Sequence, residues 1–170
     1  MNIAIVGPTG SGKSTLASIL ANKKHITHLE LDSYYWLPEW KERSEKDFIK
    51  IVEDKISIDG WVTCGNYVSV RNEIWGKSDY IIWLNYPFRV VLWRSIKRVC
   101  LRVILKSKFC NGNTQTAREL FSRDSIILWL FKTYKKRQLE YKRLLSDPSI
   151  TASVIEVNSP TELSLKLEQI

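Results

Sequence analysis

Apolar positions in this chain alternate between two spacings. Short uninterrupted runs, Asn2-Ile3-Ala4-Ile5-Val6, Gly60-Trp61-Val62-Thr63-Cys64-Gly65, Tyr80 to Leu84 and Ser153 to Val157, read as strands buried on both faces. Between them apolar residues recur every three or four positions. Lys13 to Lys23, a segment starting near Glu45 with Phe48, Ile49, Val52 and Ile56, Phe88 to about Ser107, and Ser125 to Leu145 therefore read as helices. The stretch His25 to Asp32, with alternating Leu29-Glu30-Leu31-Asp32, suits another strand ending on a carboxylate, followed by an aromatic loop from Tyr34 to Trp40. Ser44 with Asp47 three positions on resembles a capping box. Pro87 and Pro160 stand where helices begin, the latter opening a short helix with Leu163 and Leu167 on one face. Asn111-Gly112-Asn113 breaks the helical pattern.

Strands alternating with helices predict an α/β fold: a doubly wound, mostly parallel five-stranded sheet with helices on both faces. Such sheets bind ligands at the carboxyl ends of their strands. The glycine loop after the first strand, Asp32, Gly65-Asn66-Tyr67, Asn85 and Asn158 all follow predicted strands and should meet along one edge. With 170 residues, 44% of them hydrophobic, the chain suits one core, hence one domain over 1–170.

The first glycine loop carries the strongest chemical signal. Gly7-Pro8-Thr9-Gly10-Ser11-Gly12-Lys13-Ser14 is a complete Walker A motif, placed between a strand and a helix as that motif requires. Its glycines let successive N–H groups face a phosphate, and the helix N-terminus adds partial positive charge. Lys13 should reach the β- and γ-phosphates of ATP or GTP, the Ser14 hydroxyl should ligate Mg²⁺, and Thr15 completes the nucleotide-binding set.

A second metal ligand is less evident. Ile81-Ile82-Trp83-Leu84 ends on Asn85, an amide where an aspartate would hold the cation, so Asp32 on the neighbouring strand is the substitute, as metal ligand, general base for an acceptor hydroxyl, or both. Arg94, Arg98 and Arg102 lie four apart on one helix face and could close over the phosphates as part of a basic lid. Arg71, Arg118 and Arg123 are further anion-binding candidates. Tyr35 and Trp36 could pack on a base or sugar, although large rings are by default core, a reading extended here to most of the seven tryptophans.

Charge sharpens one alternative. Residues 86–146 hold 15 Lys/Arg against 3 Asp/Glu, a block that attracts either nucleotide phosphates or a nucleic-acid backbone. Cys64, Cys100 and Cys110 have no metal-ligand spacing and suit free buried thiols in a reducing cytoplasm. The start of the chain reads without a signal peptide, and no apolar run is long and uncharged enough for a bilayer, so a soluble, cytoplasmic protein without a membrane partner is expected.

Taken in order, the Walker A start, Leu31-Asp32 with Trp36 and Trp40, Gly65-Asn66-Tyr67, Leu84-Asn85-Tyr86-Pro87, Leu92-Trp93-Arg94 with Lys97-Arg98, and Phe121-Ser122-Arg123-Asp124-Ser125 resemble the topology modulation proteins, also called FlaR-like or adenylate kinase-like P-loop proteins. The resemblance covers nearly the whole chain. It implies an acceptor-binding segment at about 33–58, a lid at about 88–124 whose arginines clamp phosphates, and adenine contacts at Asn158-Ser159-Pro160. Asn85 departs from the aspartate usual in that family.

Three functions stay in competition. A small-molecule kinase would pass the γ-phosphoryl of ATP to a nucleotide, nucleoside or other hydroxyl acceptor held between Asp32, Asn66, Tyr67 and Arg71. A nucleotide-dependent nucleic-acid-binding protein would use the basic block. A low-turnover nucleotide binder would follow from the missing carboxylate at Asn85.

Overall fold

The computed structural model describes residues 1–105, 108–114 and 125–167. Five parallel strands form one sheet: β1 (Asn2–Val6), β2 (Thr27–Glu30), β3 (Trp61–Cys64), β4 (Tyr80–Leu84) and β5 (Ser153–Val157), in the order β2-β3-β1-β4-β5. The helices are α1 (Lys13–Lys24), α2 (Leu31–Tyr35), α3 (Glu45–Lys55), α4 (Arg71–Gly76), α5 (Phe88–Leu105), α6 (Ile126–Leu145) and α7 (Pro160–Lys166). The fold expected from the alternation of spacings is the fold observed.

Parallel pairing aligns the strand ends. Ile5 pairs with Cys64 and Ile82, Glu30 with Cys64, and Leu84 with Val157, so every strand delivers its following loop to the same edge. The chain leaving β1 turns toward β2 and the chain leaving β4 turns toward β5. The crevice between those two strands is the place where such sheets hold ligands.

Alternation along β1 divides the core. Ile3 and Ile5 pack with Leu16, Leu20, Val62, Ile82, Leu84, Val91 and Leu130 on one face. Ala4 and Val6 pack with Leu29, Phe48, Val52, Trp61, Trp75, Ile81 and Trp83 on the other. Burial on both faces explains why β1 and β4 read as continuous apolar runs rather than alternating ones. Of the tryptophans, Trp61, Trp75 and Trp83 are core, while Trp93 and Trp129 are exposed and Trp36 and Trp40 half-buried, so the default reading holds for three of the seven.

Helix ends follow local chemistry. The Ser44 hydroxyl accepts the Asp47 N–H at 3.2 Å, the N-cap half of the expected capping box, while the Asp47 carboxylate takes that hydroxyl at 2.7 Å rather than the Ser44 backbone N–H. Ser125 and Ser159 accept from Ile127 and Glu162 at the starts of α6 and α7. Leu163 and Leu167 do pack on the core together.

One element is shorter than its pattern implied. β2 stops at Glu30 instead of Asp32, and residues 31–35 wind into α2, so the aromatic stretch starts as a helix and continues through a 3₁₀ turn at Pro38–Trp40. The reason lies in the neighbour: β2 is an edge strand that pairs only with β3, and β3 ends at Cys64 opposite Glu30. Beyond that point alternation has no ladder to join. The free thiols are also not all buried: Cys64 is, Cys110 is half-buried and Cys100 is exposed on α5. No helix among the described residues is long and apolar enough to cross a membrane.

Candidate functional site

The loop between β1 and α1 takes its shape from backbone that other residues avoid. Gly7, Gly10 and Gly12 have φ of 146°, 77° and 94°, and a Cβ on Gly10 would stand 2.2 Å from the Ser95 hydroxyl and 2.6 Å from the Val91 carbonyl. α5 therefore presses directly on the loop. Gly12 precedes the first turn of α1, so the open N–H groups of that helix face the loop's mouth.

Lys13 curls back over this loop and donates to the carbonyls of Gly7 and Pro8, both at 3.0 Å. Loss of water lowers its pKa to about 8, partly offset by the Asp32 carboxylate and deepened by Arg98 and Arg137. Ser14 accepts a weak bond from the Cys64 thiol at 3.6 Å, and His28 Nε2 lies 3.4 Å from the same sulfur. Burial pushes that thiol up to about 12, so it stays neutral and acts as a donor. Thr15 is exposed on α1.

From α5, Arg98 donates to the Thr9 hydroxyl at 2.9 Å and Arg94 to the Ser11 carbonyl at 3.3 Å, with Arg94 also 5.3 Å from the Tyr86 ring centre. Their four-residue spacing puts both on the loop side of the helix. Arg98 Nε is buried and has no hydrogen-bond partner among the described residues, nor does the buried Ser11 hydroxyl. An orphaned guanidinium N–H beside glycine-shaped backbone is the donor set that an oxyanion satisfies. These residues fit a nucleotide phosphate.

Across the loop, exposed Asp32 sits in the first turn of α2, where its Oδ1 accepts the Tyr67 hydroxyl at 2.7 Å. Burial and the Asp32 charge both raise the Tyr67 pKa, which keeps the phenol a donor. Tyr35 packs on Trp36, Phe48 and Tyr67 with ring centres 5.1, 5.3 and 4.8 Å away, making one aromatic wall. The turn at 111–113, within the segment expected as a lid, bonds to the same stretch: Asn111 donates to the carbonyls of Ser33 and Trp36, both at 2.7 Å, and Asn113 to Leu37 at 2.9 Å. The break in helical pattern is thus a turn that bridges two segments.

Several expected ligands have other partners. Asn66 Nδ2 donates to the Gly7 carbonyl at 2.7 Å while its Oδ1 lies 3.4 Å from the Gly7 nitrogen that donates to it, and Tyr141 OH donates to the same Oδ1 at 2.9 Å. Asn66 thereby braces the phosphate loop. Arg71 is ion-paired with Glu140 at 2.8 Å and lies near the rings of Trp75 and Tyr141. Asn85 is engaged within the protein: its Oδ1 accepts from Gln138 and its Nδ2 donates to Glu156, at 2.9 and 2.7 Å. Asn158 is exposed and 3.4 Å from Asn85 Nδ2. Arg118 and Arg123 lie outside the described residues.

Cys64, Tyr141, Gln138 and Arg137 reach this edge without having been singled out by sequence. The last three come from α6, which crosses the strand ends, and a helix that far along the chain carries no local mark of the loop it covers.

No protein-family model matches the chain. An uncharacterised protein of Bacillus subtilis, YqaC, is 32% identical over 95 residues, 55% of this chain, and the chain spans about half of that relative's length (53%). Among solved structures, deoxyadenosine kinase from M. mycoides, with its products dCMP and dCDP, superposes with a TM-score of 0.55 at 15% identity, over 99% of this chain and 97% of that one. Shikimate kinase from Aquifex aeolicus gives 0.56 at 17% (99% and 97%), and shikimate kinase from Acinetobacter baumannii, bound to shikimate, 0.61 at 20% (99% and 90%). Such identities speak for the fold alone, and over nearly its whole length this chain has the fold of small-molecule P-loop kinases.

Proposed function

We propose that this protein is a phosphotransferase that moves the γ-phosphoryl of ATP, or GTP, to a hydroxyl of a small acceptor. The observation that supports it best is a convergence on one loop: Arg94 and Arg98 bond to it from α5, while Asp32, held by Tyr67, faces it from α2. Phosphoryl transfer needs little covalent chemistry from a protein, mainly positioning and charge compensation. Loop N–H groups and Lys13 hold the phosphates, Arg94 and Arg98 compensate charge that develops during transfer, and Asp32 accepts the acceptor's proton. Ser14 and Asp32 would hold Mg²⁺, which when bound supplies positive charge to the phosphate oxygens. The kinases of similar fold act, by their names, on deoxyadenosine and shikimate, which favours a small molecule over nucleic acid as the partner.

The test is Arg94→Ala and Arg98→Ala. Each should lower kcat and kcat/KM together by roughly 100-fold or more, with ATP affinity nearly kept, because the contact matters most in the transition state. DNA affinity is measured alongside. Normal turnover in both variants would sink the proposal, and a parallel loss of salt-sensitive DNA binding would shift the basic block to a nucleic-acid role.

A further inference from the structure

We infer that Asn111 is a positioning residue for the transfer: together with Asn113 it clasps the short helix that carries Asp32 and so fixes where that carboxylate stands. This rests on the phosphotransferase reading, in which Asp32 takes the proton of the acceptor hydroxyl. α2 has five residues, too few for a helix to hold by itself, and it follows an edge strand. Its carbonyl end would fray unless other groups satisfied it. The Asp32 carbonyl is served from within the segment, by the Trp36 N–H at 3.0 Å. The next five are served from outside it. Asn111 Nδ2 donates to Ser33 and to Trp36, both at 2.7 Å, and Asn113 Nδ2 donates to Leu37 at 2.9 Å. Between them Arg43 supplies Tyr34 through Nε at 2.7 Å and Tyr35 through its backbone N–H at 2.9 Å.

The clasp is itself a built structure. Asn113 is only 5% exposed, and its amide is fully used: Nδ2 also donates to the Cys110 carbonyl at 2.6 Å, while Oδ1 accepts the Trp40 N–H at 3.0 Å. Trp40 Nε1 returns a bond to the Thr114 carbonyl at 3.2 Å, and its ring lies 5.3 Å from that of Phe109. Left-handed backbone stands on both sides of the contact, with φ of 63° and 55° at Glu39 and Trp40 and of 42° and 64° at Cys110 and Asn111. Residues other than glycine keep such angles where their surroundings impose them.

The clasp also shares a frame with the phosphate loop. Phe109 is stacked by Arg102, whose Cζ is 3.6 Å from the ring centre, and Arg102 lies one turn along α5 from Arg98, which holds Thr9. Asp32 is thereby fixed twice, by Tyr67 at its carboxylate and by the clasp at the carbonyl end of its helix. A base must stand within about 2.6–3.2 Å of the hydroxyl it deprotonates, and a displacement of about 1 Å can cost roughly 100-fold in rate. Asn111 acts through α2, so its loss should fall on transfer rather than on ATP binding.

Asn111→Gly tests this in the full chain, because glycine keeps the left-handed backbone and removes only the amide. Amide hydrogen exchange followed by NMR should show protection at the Trp36 and Trp40 N–H groups falling at least about tenfold, with β1 still protected. Unchanged protection would overturn the inference. With Mg²⁺, γ-labelled ATP and a panel of nucleosides, nucleoside monophosphates and sugars, kcat should fall about tenfold or more while KM for ATP moves less than about twofold. An unchanged kcat, or a loss confined to KM for ATP, would also overturn it. Tyr67→Phe releases the other hold on the same carboxylate, so kcat of the double variant should depart at least about threefold from the product of the two single effects. Agreement with that product would break the link to Asp32. Lost protection in Asn111→Gly, with no label moved by the unsubstituted protein to any compound, supports the hold on α2 while defeating the kinase reading.

Discussion

The ammonium of Lys13 is spent on two carbonyls of its own loop, and loss of water has brought its pKa down to about 8. Phosphates would restore its charge and raise that pKa again. Between about pH 8 and the ordinary lysine value near 10.5, ATP binding should therefore take up a proton, and affinity should fall as pH rises through that window. Calorimetry in buffers of different ionisation enthalpy measures the uptake. Lys13→Ala should lose both the proton uptake and most of the binding, and an unaltered pH profile in the variant would remove Lys13 from the phosphate site. The same lowered pKa bears on the free protein with a definite sign: charging the buried amine costs stability below about pH 8, and that cost is relieved as pH climbs toward 10.5. Asn85 carries the opposite lesson. Its missing charge suggested that Asn85→Asp would tighten the metal site, but its amide joins β4 to Glu156 of β5 and Gln138 of α6. A carboxylate there would face Glu156 and lose a donor, so the substitution should destabilise the fold by about 1–3 kcal/mol, with no gain in Mg²⁺ affinity. Chemical denaturation and a Mg²⁺ titration read the two halves, and tighter metal binding would return Asn85 to the metal.

At the level of elements, the phosphate loop is held from two sides. α5 packs on Gly10 and delivers Arg94 and Arg98, whereas the turn after β3 supplies Asn66, whose amide engages both the N–H and the carbonyl of Gly7 under the Tyr141 hydroxyl of α6. A glycine loop left unbraced would lose backbone entropy on binding phosphate. Asn66→Ala should accordingly weaken ATP binding by roughly fivefold to tenfold, the worth of one or two net hydrogen bonds, with kcat largely kept, since loop shape serves ground and transition states alike. Tyr141→Phe should show the same pattern at smaller size, as it removes only the bond that orients the amide. If Asn66→Ala lowers kcat and leaves KM alone, Asn66 contacts the reacting atoms instead of the loop.

Across the whole molecule, the site draws on β1, α2, the turn after β3, α5 and α6, elements spread from Gly7 to Tyr141. A ligand touching all of them binds the native state only, so MgATP at about 100 times its Kd should stabilise the protein by about 2.7 kcal/mol. Thermal unfolding followed by circular dichroism across an ATP titration tests this, with Lys13→Ala as the variant expected to show little shift. An equal shift in that variant would mean that ATP stabilises through some other site.

Local rules sufficed wherever one segment carries both the chemistry and its context. Gly7 to Ser14 between a buried run and a helical one announces a phosphate loop, and the spacings of the runs announce a parallel sheet, because strand and helix periods are properties of neighbouring residues. The common edge followed as well, since parallel strands must all end on the same side. Contacts between distant segments were decided only by packing. Whether Asp32 ends a strand depended on where its neighbour β3 stops; whether Arg71 stays free depended on Glu140, 69 positions later, and Asn85's role on Glu156 and Gln138. A side chain's residue type tells what it can bond, but which partner stands within 3 Å is set by the tertiary arrangement, and that arrangement turned two expected ligands, Asn66 and Arg71, toward other parts of the protein itself.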